Sequence, residues 1–349
     1  MSSRSGGDAH SPRGRGGPRV RSDTPGSFSA DDVAREVGLA AARIGPYIRE
    51  TPLEFSPSLS RSTGARVFLK LENTQVTGSF KARGAFNKLL SLSPADRARG
   101  IVTASTGNHA LATVHALSVL GIAGEIFLPR SASPIKIAGL ELRGATLQLV
   151  DEDPGTVEII ARRHAEQSGR TYVSPYNDPQ VLGGQGTIAV ELLRQAEHMD
   201  AVFVPVGGGG LIAGIAGYLA ASDATCRIVG CQPENSPILA RSTDAGRLLD
   251  MPYVETLSDA TVGLVEPGAI TFPICQTCVD DWVLVGESEI RAAIRLALAD
   301  HSLLIEGAAA LSIAALVHAA PTYHGQSVVL VLSGSHIAPT TLAAILNEA

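Results

Sequence analysis

Short apolar runs alternate with amphipathic stretches along most of the sequence, and this alternation predicts the secondary structure. Runs typical of buried strands occupy 66–71, 101–104, 124–128, 146–150, 171–173, 201–206, 226–232 and 327–332. Stretches with helical spacing occupy 31–48, 80–92, 110–120, 134–143, 157–167, 185–196, 211–221, 288–299 and 308–319. Strands that alternate with helices are typical of βαβ units. The sequence therefore predicts an α/β protein in which two mostly parallel sheets are flanked by helices.

The composition agrees with a compact α/β protein, and the net charge argues against one class of partner. The 349 residues include 45% hydrophobic side chains, which is enough apolar material for a sizeable core. The formal net charge of −6 argues against nucleic acid, because a phosphate-binding surface needs an excess of Lys and Arg. No Asp, Glu, Lys or Arg occurs between residues 307 and 347, so we expect this segment to lie at the centre of its lobe.

The sequence contains no segment that predicts a membrane span or a secretory signal. Residues 201–222 carry no charge and approach transmembrane length, but Pro205 and the glycines at 207–210 interrupt them. This stretch is therefore interpreted as a buried strand, a turn and a helix. Residues 1–29 are rich in Gly, Ser, Pro and Arg and lack the apolar segment of a signal peptide. They predict a disordered tail.

The cysteines raise the question of a metal or redox site. Cys275 and Cys278 have the C-x-x-C spacing that occurs in zinc and redox sites. Cys226 and Cys231 lie on one predicted strand at an odd separation, which directs their side chains to opposite faces. We therefore predict no metal site. Free thiols in a chain of this length fit a reducing cytoplasm, and a cytoplasmic location is expected.

The first candidate for chemistry is a lysine in Thr77-Gly-Ser-Phe-Lys-Ala-Arg-Gly84. Lys81 lies at the start of a predicted helix, where the partial positive charge of the helix end disfavours an ammonium group. A neutral amine is the form that nucleophilic chemistry requires. The alternative interpretation is an exposed surface lysine with no role.

A second candidate is the strand-to-helix turn Ser105-Thr-Gly-Asn-His-Ala110. Free backbone N–H groups at the start of a helix can hold a carboxylate, and Asn108 adds a directed amide. The alternative is an ordinary helix cap in which Gly107 serves only the turn.

A third candidate is the glycine run in Val206-Gly-Gly-Gly-Gly-Leu-Ile-Ala-Gly214, between a predicted strand and a predicted helix. Glycines allow backbone amides to approach a phosphate, and the helix dipole adds attraction. No Lys-Ser/Thr pair follows, and the spacing differs from the dinucleotide fingerprint, so a single phosphate is the expected ligand. A tight packing turn is the alternative.

The fourth candidate is Ser333 in Val329-Leu-Val-Leu-Ser-Gly-Ser-His336. It follows a predicted parallel strand, and ligands of open α/β sheets bind at the carboxyl ends of the strands. A hydroxyl at that place can bond a ring nitrogen without introducing charge.

These motifs, in this order and spacing, resemble those of fold type II pyridoxal-phosphate enzymes, and in particular the serine/threonine dehydratases. Four further stretches resemble the same family: Leu69-Lys-Leu-Glu-Asn73, residues 175–187, Val285-Gly-Glu-Ser-Glu-Ile290 and Glu306-Gly-Ala-Ala-Ala310. The resemblance runs from about residue 46 to residue 346. It implies a two-lobed tryptophan-synthase-β-like fold, with a large domain from 30–99 and 178–349 and a small domain from 100–177. It also implies a homodimer.

The resemblance assigns roles to individual residues. Lys81 binds pyridoxal 5′-phosphate covalently, and Phe80 packs beside its ring. The residues Gly207, Gly208, Gly209, Gly210 and Leu211 hold its phosphate, Asn108 bonds its phenolic oxygen, and Ser333 faces its pyridine nitrogen. Ser105, Thr106, Asn108 and His109 bind the substrate carboxylate. The implied catalytic residues are Lys81, Thr106 and Glu306.

The implied reaction is α,β-elimination of water from a β-hydroxy amino acid, giving a 2-oxo acid and ammonia. A neutral Ser333 favours elimination over transamination. The alternatives within this fold are a β-replacement synthase and an amino-acid racemase, and outside it a non-catalytic binding protein. The segments 175–183, interpreted as a loop, and 262–270 are expected to form the substrate side-chain pocket.

Several positions depart from the family pattern. The usual Ser-Gly-Gly-Asn becomes Ser333-Gly-Ser-His336, and Thr106 stands where related racemases have serine. Gln232 replaces the acidic residue of the family's cation site, which supports the prediction of no metal. Gln232-Pro233 and Gly268-Ala-Ile-Thr-Phe272 are closer to the phenylserine and hydroxyectoine-pathway dehydratases than to housekeeping threonine deaminases.

Overall fold

The computed structural model describes residues 28–347 and contains two separate β-sheets. The strands are β1 (Leu53–Phe55), β2 (Arg66–Lys70), β3 (Ile101–Ala104), β4 (Gly124–Pro129), β5 (Thr146–Val150), β6 (Thr171–Tyr172), β7 (Ala201–Pro205), β8 (Arg227–Pro233), β9 (Asp281–Val285) and β10 (Ser327–Val331). One sheet has the order β1-β2-β10-β7-β8-β9, and the other has the order β5-β4-β3-β6. All strand pairs are parallel except β1 with β2. The predicted α/β architecture with mostly parallel sheets is confirmed.

Helices follow most of the strands, as parallel pairing requires. They are α1 (Ala30–Ile44), α2 (Pro57–Thr63), α3 (Lys81–Ser91), α4 (Pro94–Arg99), α5 (Asn108–Leu120), α6 (Pro134–Glu141), α7 (Pro154–Ser168), α8 (Pro179–Gln195), α9 (Gly210–Ala221), α10 (Ile238–Ala245), α11 (Thr271–Cys278), α12 (Glu287–His301), α13 (Gly307–His318), α14 (Ala320–Tyr323) and α15 (Pro339–Asn347). Short 3₁₀ turns cover Gly45–Tyr47, Glu72–Thr74 and Asp259–Thr261. No helix within residues 28–347 combines the length and the hydropathy that a bilayer-crossing segment requires.

Two helix ends differ from the predicted bounds because of a proline in one case and a capping side chain in the other. The first helix ends at Ile44 instead of residue 48, because Pro46 cannot continue an α-helix and a 3₁₀ turn follows. The helix predicted to begin at residue 185 begins at Pro179, where the Asp178 carboxylate accepts the N–H groups of Gln180 and Val181. The interpretation of 175–183 as a loop is therefore wrong from Pro179 onward.

The large sheet is buried on both faces. β10 lies between β2 and β7, and its side chains alternate between two apolar clusters. Val328 and Leu330 pack with α13, whereas Val329 and Val331 pack on the other face with α9. The charge-free segment around β10 and α13 is therefore central, as its composition predicts, although α15 is largely exposed.

The four cysteines are all buried, and none of them forms a disulfide bond. Cys226 and Cys231 belong to clusters on opposite faces of the large sheet, which confirms the prediction from their odd spacing. In the described part of the chain, no group of three or more His, Cys, Asp or Glu residues is arranged to hold a metal ion.

The predicted domain bounds, 30–99 with 178–349 and 100–177, stay a prediction, although every strand of the smaller sheet lies between residues 101 and 172. The predicted tail, residues 1–29, lies outside the described residues except for its end. There, Ser29 caps α1 by accepting the Asp32 N–H, and the Asp32 carboxylate accepts the Ser29 N–H.

A cluster of buried charges anchors α3 to the large sheet. The Arg83 guanidinium donates to the carboxylate of Glu72 at 2.8 Å and to that of Glu191 on α8 at 2.6 and 2.9 Å. The Lys70 ammonium on β2 also donates to Glu191, at 2.5 Å. The Arg83 and Glu72 side chains are 0% exposed. Two cations and two anions therefore compensate each other away from water.

Replacing Arg83 with methionine tests this cluster. Arg83→Met leaves two buried carboxylates facing one ammonium, so we expect the free energy of unfolding to fall by about 3–5 kcal/mol. Urea denaturation followed by circular dichroism measures this change. The control is Arg130→Met, which removes an ion pair to Asp151 whose side chains are 57% and 76% exposed. We expect its cost to stay below about 1 kcal/mol. Equal losses in the two variants would contradict the role of the cluster.

Candidate active site

The predicted motifs meet at the carboxyl ends of strands from both sheets. Ser79 forms an antiparallel bridge with Gly334, and the Phe80 N–H donates to the Ser333 carbonyl oxygen at 3.1 Å. The loop before α3 is therefore held against the segment that follows β10. The start of α5 contacts the same segment through Asn108. Residues that are far apart in the chain thus surround one place between the two sheets, as ligand sites in parallel α/β proteins do.

Lys81 is the first residue of α3, as the sequence predicts. Its Nζ donates to the Pro175 carbonyl oxygen at 2.7 Å and lies 5.1 Å from the centre of the Phe80 ring. Burial lowers the pKa of Lys81 to about 8, and the nearby Glu306 carboxyl opposes this change. A substantial fraction of this amine is therefore neutral in mildly alkaline solution, which suits it to nucleophilic and base chemistry.

Ser333 is buried next to this lysine loop. Ser333 lies two residues after the end of β10, and 2% of its surface is exposed. Within residues 28–347, no group hydrogen-bonds to its Oγ. A buried hydroxyl without a partner is costly, because it has lost its hydrogen bonds to water. Ser333 can therefore offer its hydroxyl to a polar atom of a bound molecule.

The glycine run forms the turn between β7 and α9. Gly209 has φ +88, a left-handed conformation that favours glycine. A Cβ at Gly208 would lie 2.6 Å from the Tyr176 ring, and one at Gly210 would lie 3.0 Å from the Tyr176 Cα. The N–H groups at the start of α9 lack partners within the helix and can bind an anion such as phosphate.

Two residues shape this turn through contacts that the sequence-based prediction does not include. Tyr176 packs on the glycines, and its hydroxyl accepts the Glu266 N–H at 3.0 Å. The Thr271 hydroxyl donates to the Gly208 carbonyl oxygen at 2.8 Å. Tyr176 lies within the Pro-Tyr-Asn-Asp-Pro stretch at 175–179, but spacing alone does not reveal that its ring contacts the glycine turn at 207–210.

The turn Ser105–His109 presents backbone donors to the site. The Gly107 N–H donates to the Ser105 Oγ at 3.2 Å, and α5 begins at Asn108. The His109 imidazole turns inward, where Nε2 contacts the Thr103 Oγ1 at 3.0 Å and the Val173 carbonyl oxygen at 3.2 Å. Burial lowers the pKa of His109 to about 3, so its ring is neutral. The imidazole is therefore occupied by these contacts, and the role of His109 in binding the substrate carboxylate stays a prediction.

Asn108 joins the smaller sheet to the larger one. Its Nδ2 donates to the Glu306 Oε1 and Oε2 at 2.8 and 2.9 Å, and its Oδ1 lies 2.6 Å from the His336 Nδ1. Glu306 is 3% exposed, and burial raises the pKa of its carboxyl to about 7. Asn108 and Glu306 thus lie in one network, and this carboxyl can hold a proton near neutral pH.

Gln232 takes up the place where the resemblance expects an acidic cation ligand. Its Nε2 donates to the Val206 carbonyl oxygen at 3.2 Å, and its Oε1 accepts the Ala240 N–H at 2.8 Å. Both ends of the amide are used to join the end of β7 to α10. The residue therefore has a structural role here.

Comparison with known proteins identifies the family. The sequence profile of the family described as pyridoxal-phosphate dependent enzymes matches residues 44–334. The L-threonine ammonia-lyase of Thermotoga maritima is 37% identical over 301 residues, which cover 86% of this chain and 75% of that protein.

Two solved structures are also similar. The processed threonine deaminase isoform 2 of Solanum lycopersicum superposes with a TM-score of 0.86 and 30% identity, covering 94% of this chain and 96% of that one. Maize serine racemase superposes with a TM-score of 0.85 and 30% identity, covering 90% of this chain and 97% of that one. The fold and the cofactor that the sequence predicts are thereby confirmed. The chain belongs to the pyridoxal-phosphate dependent enzymes, as a lyase of fold type II.

Proposed function

We propose that this enzyme removes water from a β-hydroxy amino acid of the serine or threonine type and releases a 2-oxo acid and ammonia. The observation that carries the proposal is the buried, uncharged hydroxyl of Ser333, which has no partner among the described residues. A neutral group at the cofactor's ring nitrogen favours prompt elimination over transamination. The relatives named as threonine ammonia-lyase and threonine deaminase support the same reaction.

The residues of the site fit pyridoxal phosphate. Lys81 offers an amine of lowered pKa for the covalent bond to the cofactor. Ser333 offers the ring nitrogen a hydroxyl that has no partner in the described part of the chain, and Phe80 lies beside the lysine where the ring would pack. The N–H groups of the glycine turn, from Gly207 to Leu211, would hold the phosphate. Asn108 would bond the phenolic oxygen. When bound, the cofactor supplies the electron sink that acidifies the Cα–H bond of an amino acid.

The turn between β3 and α5 is the proposed binding site of the substrate carboxylate. Ser105 and Thr106 supply hydroxyl groups, and Asn108 and His109 supply N–H groups at the helix start. The positive end of the α5 dipole adds attraction for a carboxylate. The pocket for the substrate side chain is proposed to include 175–178 and 262–270, because Asn177 and Tyr176 accept the N–H groups of Ile270 and Glu266 and so join these segments.

Proton transfer is assigned to Lys81 and Glu306. The neutral Lys81 amine takes the Cα proton of the substrate, and the bond from Cβ to the hydroxyl oxygen breaks. The hydroxyl gains a proton and leaves as water. Glu306, whose carboxyl has a pKa of about 7, is a group of the site that can donate this proton. The released unsaturated amine then takes up water to give the 2-oxo acid and ammonia. Thr106 is retained as a candidate catalytic residue.

A cytoplasmic location and a homodimeric state stay predictions from the sequence. The substrate preference also stays a prediction. The sequence is closer to the phenylserine and hydroxyectoine-pathway dehydratases, so a preference of that kind is proposed. A panel of serine, threonine, phenylserine and hydroxyaspartate, assayed for ammonia release, ranks these substrates.

Lys81 is tested by covalent trapping. Borohydride reduction of the enzyme should fix the cofactor to Lys81, and peptide mass spectrometry should locate the adduct there. Lys81→Ala should lose ammonia release, because the amine provides both the covalent link and the base. The control is Lys136→Ala, which removes an exposed ion pair with Asp259 and should leave trapping intact. An adduct on another residue would refute the assignment.

The glycine turn is tested with Gly208→Ala. The added methyl group would lie 2.6 Å from the Tyr176 ring and push the turn away from the phosphate. We expect cofactor affinity to fall by at least about tenfold, or ~1.4 kcal/mol, in spectroscopic titration of the cofactor-free protein. The control is Gly38→Ala, where a Cβ meets no atom within 4 Å. Parental affinity in Gly208→Ala would exclude this turn as the phosphate site.

Ser333 is tested by introducing charge. Ser333→Asp should shift the absorption spectrum of the bound cofactor and lower the rate of ammonia release, with more transamination product. Ser333→Ala, which stays neutral, should keep elimination as the main reaction. If Ser333→Asp eliminates water cleanly at the parental rate, the neutral hydroxyl does not set the outcome.

A further inference from the structure

The orientation of the Asn108 amide is determined from two sides. Glu306 accepts from Nδ2 with both carboxylate oxygens, and the His336 Nδ1 lies 2.6 Å from Oδ1. An amide oxygen can only accept, so the His336 nitrogen that faces it must carry a hydrogen. In the opposite orientation, the amide oxygen would face the Glu306 carboxylate. The two partners therefore select one of the two orientations of the amide.

His336 is itself held in place. Its backbone N–H donates to the Glu306 Oε2 at 3.1 Å, so its main chain is tied to the same carboxylate. A Cβ at Gly78 would lie 2.9 Å from the His336 Cε1, which shows how closely the ring packs on that turn. The neighbouring Ser335 N–H donates to the Gly78 carbonyl oxygen at 2.9 Å. The loop before Lys81 thus supports the imidazole.

We propose that His336 is a positioning residue that orients the Asn108 amide through its Nδ1–H. The inference rests on the proposed function, in which Asn108 bonds the phenolic oxygen of the cofactor. An amide nitrogen carries two hydrogens, so Nδ2 can serve both Glu306 and that oxygen. Without the His336 donor, the amide is free to present its oxygen to the phenolic oxygen, where two acceptors repel each other.

The same reasoning explains the departure from Ser-Gly-Gly-Asn at 333–336. Asparagine carries its amide nitrogen on Cγ, and histidine carries Nδ1 on the same atom. Either residue at position 336 can therefore place a donor at the same distance from the backbone. Histidine preserves the donor, whereas a residue of similar branching without a donor, such as leucine, does not. Burial and the nearby Arg143 lower the pKa of His336, which favours a neutral ring.

The tautomer of His336 provides a test that does not depend on catalysis. Long-range ¹H–¹⁵N correlation spectra of the ¹⁵N-histidine-labelled full chain, with and without cofactor, should show His336 neutral and protonated at Nδ1. The signal is assigned by its loss in His336→Asn. A ring protonated only at Nε2 would overturn the proposal. This result would leave the trapping of the cofactor on Lys81 unaffected, so the two failures are distinguishable.

A matched pair of variants tests the consequence. His336→Asn keeps a donor and should bind the cofactor within about threefold of the parental affinity, whereas His336→Leu should bind about tenfold more weakly. We expect kcat of His336→Leu to fall with KM nearly unchanged, because the proposed carboxylate site uses backbone N–H groups and the hydroxyls of Ser105 and Thr106, and does not use the Asn108 side chain. Thermal unfolding of the cofactor-free variants controls for folding. Equal affinities in the two variants would contradict the role of the donor.

A double-mutant cycle tests whether His336 acts on cofactor binding through Asn108. If His336 acts through Asn108, then His336→Leu should weaken cofactor binding no further in an Asn108→Ala background. Additive losses of affinity in the double variant would show that His336 acts by another route and would overturn the proposal.

Discussion

The buried charges of Arg83, Glu72, Glu191 and Lys70 are the constraint on which the rest of the site depends. They join β2, α3 and α8, and α3 begins with Lys81. Because the cluster is closed to water, each charge requires its partners, and α3 cannot shift without separating them. The amine is therefore carried on a helix whose position is set by electrostatics beneath it. Burial of the amine itself then lowers its pKa.

A second set of contacts brings the two sheets together around that amine. Asn108, on the first turn of α5, bonds Glu306 and His336 at the end of the large sheet. Arg162 on α7 pairs with Glu266 at 2.9 Å, in the segment whose N–H groups bond Tyr176 and Asn177. These polar contacts link groups of both sheets to the glycine turn and to the lysine. The proposed elimination needs groups from both sheets at one place, because proton transfer and carboxylate binding act on one substrate.

Much of the site follows from local sequence. A glycine run after an apolar strand, a lysine at a helix start and Ser-Thr-Gly-Asn at 105–108 each reflect a backbone requirement within a few residues. The same locality explains the errors. The proline ring of Pro46 ends α1 early, and the Asp178 side chain caps α8 and so starts it earlier than predicted. Each effect comes from one residue, whereas hydrophobic periodicity is assessed over many residues. The contacts of the His109 imidazole with Thr103 and Val173 were not predicted, because they depend on the packing of the smaller sheet.

The sequence by itself determined the alternation of strands and helices, because this depends on residue type and short-range spacing. Its resemblance to a known family predicted the cofactor, and it also predicted that Lys81 is the residue that binds the cofactor. Only the tertiary structure decided which groups meet across the two sheets. The contact of Tyr176 with the glycine turn and that of His336 with Asn108 join residues far apart in the chain. The burial of the Ser333 hydroxyl, which has no hydrogen-bond partner within residues 28–347, also depends on tertiary packing. Burial also decides the pKa values of Lys81 and Glu306, and burial is a property of the packed molecule.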